Sequence, residues 1–421
     1  MISKNPSSTW ERGFFCLNTP TENLSLPPHS YKSESEAREY MEQAQHKVYF
    51  PGLNGLRFFA ALAVILTHVE LLKAQADIPN RWSSPLFFNL GGLGVYFFFV
   101  LSGFLITFLL LSEKQFTGQI SIKDFYIRRI LRIWPLYYVV ILLGFFVFPY
   151  LGILKIPYFS SIPLNGPVAN LLFYLFMMPN LAFAFFGPVP LIGQAWSIGV
   201  EEQFYLFWPL LIKFSRNILR TIILVAGVIV LIKAVILLLW FRHPGNPVFL
   251  HFKSFVAMSK IESMAIGAVG AYLLFNKKDH LLRLIFLPLT QIVAFATIPV
   301  LIYFTPDRIQ DGIHLVYSAA FLVIILNVSA NSASILKLEN RLFNFLGRIS
   351  YGLYMYHMVA VILALKLYRL LGDKDPDSVS ANVFYYSFTI LLTIAIAWLS
   401  NQYFEGWFLR KKRKYSRIET T

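Results

Sequence analysis

Residues 91–111 read GGLGVYFFFVLSGFLITFLLL, twenty-one residues without a charge. As a helix the run is about 31 Å long, close to the thickness of a bilayer's hydrocarbon core. Ten more apolar runs flank it, near 55–73, 136–154, 168–186, 196–214, 219–241, 258–276, 283–305, 313–331, 345–365 and 383–404. Hydrophobic residues make up 57% of the 421-residue chain and charged residues only 14%, too little polar surface for a soluble domain of this size. Aromatics reach 17%, with 41 Phe, which suits lipid-facing and interfacial helices. The fold class this implies is all-α: one polytopic integral membrane domain in contact with membrane lipids.

Charge sets the threading. The net charge of +15 sits in short basic runs beside apolar segments: Lys213, Arg216 and Arg220; Lys277, Lys278 and Arg283; and Arg410–Lys414. That pattern is the bias of cytoplasmic loops rather than a nucleic-acid surface, so no nucleic-acid partner is expected. With Arg128, Arg129 and Arg132 also inside, 136–154 must run outward and 196–214 inward, and no complete crossing fits between them. Segment 168–186 also holds Pro179 and Asn180 mid-run. It is expected to be re-entrant or peripheral, since irregular backbone at membrane depth needs protein or water around it. The expectation is ten transmembrane helices with both termini cytoplasmic.

Residues 1–48 read as a polar, partly disordered cytoplasmic tail with an amphipathic piece near Ser33–Lys47, residues 49–408 as the membrane domain, and 409–421 as a basic cytoplasmic tail. The one cysteine, Cys16, allows no disulfide within the chain, and no Cys/His cluster suggests a metal. The first thirty residues lack the apolar core of a cleavable signal, and no internal repeat of the kind found in transporters is visible.

Polar groups inside a bilayer are costly, so each needs a reason. In GLRFFAALAVILTHVELLK, residues 55–73, Arg57 and His68 are eleven residues apart. On a helix that leaves them only about 20° apart in azimuth and about 16 Å apart along the axis. An anion held at Arg57 could carry an arm reaching His68; a phosphorylated nucleotide with a pantetheine arm has that shape. A snorkelling arginine and a core histidine would read the same way.

In WSIGVEEQFYLFWPLLIKF, residues 196–214, Ser197, Glu201 and Tyr205 share a stripe at i, i+4 spacing, with Trp196 and Glu202 beside them. A carboxylate there at the depth of His68 would orient the imidazole and stabilise its protonated form; two helix-capping acids are the plainer alternative. Gly91, Gly92, Gly94 and Gly103 permit close helix approach, and Ser102 can hydrogen-bond across helices. Arg129 and Arg132 lie one turn apart and suit phosphate, or anchor the inner boundary beside Trp134. GRISYGLYMYHMV crowds Ser350, Tyr351, Tyr354 and His357 into one span, where His357 reads as an acceptor-binding or supporting residue or as a structural histidine. Lys260 and Glu262 are expected to pair with each other.

Taken in order, NGLRFFAALAVILTH, FFVLSGF, RRILR, WSIGVEEQFYLFWP and LGRISYGLYMYH resemble the membrane-bound acyltransferase-3 family over roughly residues 50–406. The resemblance implies acyl-CoA, usually acetyl-CoA, as co-substrate with no permanently bound cofactor. It also implies a carbohydrate hydroxyl as acceptor, on a polysaccharide or lipopolysaccharide, at a bacterial inner membrane. By position His68 corresponds to the catalytic base and Arg57 to a residue serving CoA. Ser102 and Gly103 match the serine–glycine pair of the second helix, and Arg129 and Arg132 the paired arginines near the donor entrance. Glu201 matches the glutamate of the tryptophan–serine segment, with Trp196, Ser197, Glu202, Tyr205, Tyr351 and His357 around the substrate. Two departures stand out: Gly199 where a serine is usual, and Glu405-Gly406-Trp407 without a closing proline. About fifteen residues follow the last span, so the expectation is a form without a soluble hydrolase-like domain, its acceptor bound by the membrane domain and residues 155–195. Direct transfer and an acyl-histidine intermediate both remain open. The rivals are a transporter or flippase that uses buried polar groups as a path, and a sensor or scaffold braced by them.

Overall fold

The computed structural model describes residues 47–155, 165–304, 310–372, 375–416 and 418–420. Most of the 1–48 tail, including residues 33–46 of its amphipathic piece, lies outside them. Helices α1 (Leu53–Gln75), α2 (Pro85–Thr117) and α3 (Ile122–Phe146) open the bundle. Their ends follow local chemistry. Ser84 and Ser121 accept from the amides of Phe87 and Asp124, satisfying donors that a helix start leaves free. Gly118, at φ 72°, stops α2 in a left-handed turn.

Next come α4 (Pro167–Leu175), α5 (Pro179–Phe186), α6 (Trp196–Phe214), α7 (Ile218–Arg242), α8 (Pro247–Met258) and α9 (Ile261–Phe275). Then follow α10 (Asp279–Phe286), α11 (Pro288–Phe304), α12 (Gln310–Ala330), α13 (Arg341–Arg348), α14 (Ser350–Leu370) and α15 (Val379–Ser400). A π-helical turn, Asn401–Glu405, leads into α16 (Gly406–Arg413).

The all-α, polytopic architecture is as expected, with differences in detail. Among the described residues, eight helical stretches are long and apolar enough to cross a membrane, or nine if α10 and α11, bent by 61°, count as one span. The 19-residue α6, with Glu201, Glu202 and Lys213, stands outside that set. Segment 283–305 is therefore broken rather than straight: Pro288 cannot continue the hydrogen-bond ladder of α10. Segment 168–186 forms two helices of 9 and 8 residues, parted at Met177 with φ 59°, and is no single span. The span read as 258–276 extends back through α8 to Pro247.

Helix α2 is the axis of the bundle, with 72% of its span buried, against 6% for α7. It packs on α1, α6, α9 and α12. Two glycines let its backbone meet that of α9: a Cβ on Gly103 would lie 1.9 Å from the Met264 carbonyl oxygen, and one on Gly267 1.9 Å from that of Val100. Gly94 does the same against Ala60 of α1.

Ion pairs brace the periphery. Glu70 and Lys73 of α1, both 1% exposed, pair at 2.9 Å and reach Tyr386 and Asn382 of α15. Glu262 of α9 accepts from Lys233 of α7 and, at 2.7 Å, from His314 of α12. The expected Lys260–Glu262 pair does not form among the described residues: Lys233 and His314 share one carboxylate oxygen. Residues past the last span fold back as well. Helix α16 lies along α3, Arg128 donates to the Tyr415 carbonyl at 2.7 Å, and Glu419–Thr420 pairs in parallel with Lys47–Val48.

Candidate active site

Helix α1 is unbroken from Leu53 to Gln75, so Arg57 and His68 do share a face, about 16 Å apart. His68 is half-buried, and its Nδ1 lies 2.8 Å from the Val64 carbonyl oxygen one turn back. Its ring stands 4.8 Å, centroid to centroid, from that of fully buried His357 on α14. His357 repeats the arrangement, with Nδ1 2.7 Å from the Tyr354 carbonyl oxygen. A carbonyl only accepts, so both rings carry their proton on Nδ1 and leave Nε2 with a free lone pair. His357 Nε2 is buried without a hydrogen-bond partner among the described residues.

Below the histidines, Tyr354 donates to the Gln194 carbonyl at 2.9 Å and meets Ser197 Oγ at 2.6 Å. The α6 stripe then descends from Ser197 through Glu201 to Tyr205. Glu201 accepts from Ser102 at 2.7 Å, and Tyr205 lies beside both. The Tyr205 ring faces the guanidinium of Arg129 at 5.6 Å, and Phe125 flanks Arg129 on its other side at 5.6 Å. Arg129 Nε is buried without an acceptor among the described residues. Arg57 donates to Asn54 at 3.2 Å and feels the charges of Arg132, Arg129 and Glu201. A continuous line of polar side chains thus runs from three arginines to two imidazoles.

One expected pairing is absent. Glu201 does not meet His68. Thr67, next to His68, faces Gly91 of α2, whereas Glu201 bonds Ser102 eleven residues further along that helix. Eleven residues of helix span about 16 Å. Helix α6 begins beside Phe99, in the middle of α2. Glu201 therefore belongs to the arginine end, and His357 occupies the place beside His68.

Glu202 accepts from Trp134 Nε1 at 3.0 Å, and Tyr351 donates to the Ile133 carbonyl at 2.9 Å, so both tie α3 to the site. Trp196 packs edge-on against Phe99. Gly103 turns its Cβ side to α9, where it permits the helix crossing. Gly199 has a steric reason: a Cβ there would lie 2.7 Å from Pro179 Cδ, where α5 crosses α6. Beside it, Asn180 and Gln203 exchange two hydrogen bonds, at 3.1 and 2.9 Å. Gln194, which ties α6 to the Met355 carbonyl at 3.0 Å, escaped the sequence reading because it precedes the apolar run. Lys233 did carry a signal, a lone charge deep in an apolar span.

The acyltransferase domain family matches residues 50–401, and the chain belongs to that family of membrane acyltransferases. Among curated proteins it is similar to the putative peptidoglycan O-acetyltransferase YrhL of Bacillus subtilis, with 28% identity over 76% of this chain and 50% of that protein. It is also similar to the O-acetyltransferase OatA of Staphylococcus aureus, with 27% identity over 87% of this chain and 58% of that protein. The chain spans between half and three-fifths of the length of these relatives. No solved structure matches.

Proposed function

We propose that the chain is an O-acyltransferase that moves an acyl group, most simply acetyl, from cytoplasmic acyl-CoA to a glycan hydroxyl on the far side of a bacterial inner membrane. The observation that carries this reading is the polar line from Arg57, Arg129 and Arg132 to His68 and His357. Its length of about 16 Å suits an extended arm between phosphates at one end and a thioester at the other. The names of the similar proteins support transfer to a glycan, peptidoglycan being the acceptor printed for one of them.

In this mechanism the arginines hold the donor phosphates by paired N–H donors. The thioester lies beside the imidazoles. His68, partly accessible, takes the acceptor hydroxyl's proton on Nε2. The alkoxide attacks the thioester carbonyl, a C–O bond forms, the C–S bond breaks, and the CoA thiolate recovers the proton. His357, fully buried, holds His68 in place. Glu201 balances the arginine end and fixes Ser102. No step uses a metal.

The test is incubation of purified protein with labelled acetyl-CoA and a glycan acceptor, scoring CoA release and labelled product. His68→Gln is expected to abolish transfer while leaving the melting temperature unchanged; full activity in that variant would remove His68 as the base. Label trapped on the protein without acceptor would replace direct attack by an acyl-histidine route.

A further inference from the structure

We propose that Lys412 on α16, outside the stretch matched by the family, is a fourth cation for the donor phosphates and closes the arginine cluster from the chain's C-terminal end. The inference rests on the acyl-CoA reading above and adds a ligand to it.

The C-terminal segment crosses the end of the bundle that carries the arginines. Helix α16 packs along α3, the Tyr415 carbonyl is held by Arg128, Ile418 packs against the core, and Thr420 pairs with Val48 just ahead of α1. The segment thus bridges the two helices that bear Arg57, Arg129 and Arg132. Of the basic residues 410–414, Lys412 alone is not exposed. Its neighbour Lys411 instead lies over the Trp407 ring, at 3.5 Å. Arg132, Arg129, Arg128 and Arg57 all act on Lys412 electrostatically, Arg132 most strongly.

Arg128 is neutralised by Glu113 at 2.9 Å. Arg57, Arg129, Arg132 and Lys412 make no ion pair among the described residues. The acids near them, Glu201, Glu202 and Glu405, offset the arginines only through space, since their hydrogen bonds go to Ser102, Trp134 and, at 2.9 Å, Ser400. A lysine that only anchored the helix in the interface would snorkel to water, as its neighbours do. Holding it part-buried on a helix packed against α3, where the arginines act on it, is costly unless a further anion joins them. An anion bearing several phosphates offers one oxygen pair to each arginine and a point partner to the ammonium. A CoA diphosphate and an anionic lipid headgroup share this chemistry; the inference is for CoA.

The test is calorimetric titration of CoA, and of pantetheine, which lacks the phosphates, into the full chain in phosphatidylcholine nanodiscs. CoA should bind and pantetheine should bind far more weakly. Lys412→Gln should weaken CoA about tenfold and raise the KM for acetyl-CoA similarly, with kcat at saturating donor little changed. Lys412→Arg should restore most of the affinity, and Lys411→Gln should bind as wild type. Absence of CoA binding by the wild type would sink the donor reading itself. Wild-type binding that survives Lys412→Gln unaltered would sink only the role of Lys412. Should Lys412→Gln fail to fold, Lys412→Met, which keeps the apolar stem, is read the same way. Competition by phosphatidylglycerol nanodiscs that vanishes in the Lys412 variant would assign the lysine to lipid and overturn the inference.

Discussion

Replacing Gly103 by alanine tests whether the α2–α9 crossing sets the site geometry. The new Cβ would lie 1.9 Å from the Met264 carbonyl oxygen, and real Cβ atoms do not approach within 3.0 Å, so the two backbones must part by about 1.1 Å. Ser102 is the adjacent residue, and its bond to Glu201 is 2.7 Å long. A shift of that size directed away from Glu201 stretches the bond to about 3.8 Å, beyond hydrogen-bonding range. Overpacking of this kind costs about 1–3 kcal/mol, and a 1 Å misplacement at a site can cost about 10²-fold in rate. Gly103→Ala is therefore expected to lower the melting temperature in mild detergent and to cut acetyl transfer in proteoliposomes by one to two orders of magnitude. Gly92→Ala on the same helix is the control. There the nearest atoms are the Tyr96 ring at 3.9 Å, and the change should be neutral or slightly stabilising. If Gly103→Ala were as active and as stable as Gly92→Ala, the geometric reasoning about this crossing would be refuted.

Gly199→Ser should be destabilising despite being small, because its Cβ meets Pro179 at 2.7 Å; thermal unfolding beside Asn180→Ala would read the two effects together. Glu262→Gln leaves Lys233 and His314 without their shared anion and should cost about 3 kcal/mol, seen as a lower melting temperature with an unchanged KM for donor. Outside the spans, burial of Glu339 works against its charge. Hydrogen bonds from Tyr49, Asn344 and the Gly52 amide outweigh that and hold its carboxyl below the ordinary value. A depressed carboxyl stabilises the fold above its unfolded pKa and loses that contribution as pH falls through the folded one. The melting temperature should therefore drop with acidification through the carboxylate range, and Glu339→Gln should flatten that part of the profile.

The helices were legible where composition alone decides them. The uncharged run of α2 and the i, i+4 stripe of α6 needed no partner to be read. So was the shared face of Arg57 and His68, a matter of helical pitch. What escaped depends on tertiary direction. Hydropathy registers the composition of 283–305 but not the 61° bend, although Pro288 marks it. The depth of Glu201 follows from where α6 starts relative to α2, which no local pattern encodes. His68 found His357, a residue 289 positions away, rather than the acid that chemistry suggested. Lys411 and Lys412 are indistinguishable in a basic tail until α16 is laid against α3.

The polar clip between Lys233 and Glu262 bears on how the protein should be handled. Helix α7 fully buries only Ile222; Ile218, Val225 and Ala226 pack part-buried against the core, and much of the remainder is exposed. It is seated by α6, α8, α9 and that charged contact. Water reaching Lys233, which is 22% exposed, would weaken the contact by raising the local dielectric. Short-chain detergents should therefore peel α7 from the domain before they disturb the glycine-locked pair behind it, and extraction in long-chain detergent should keep it seated.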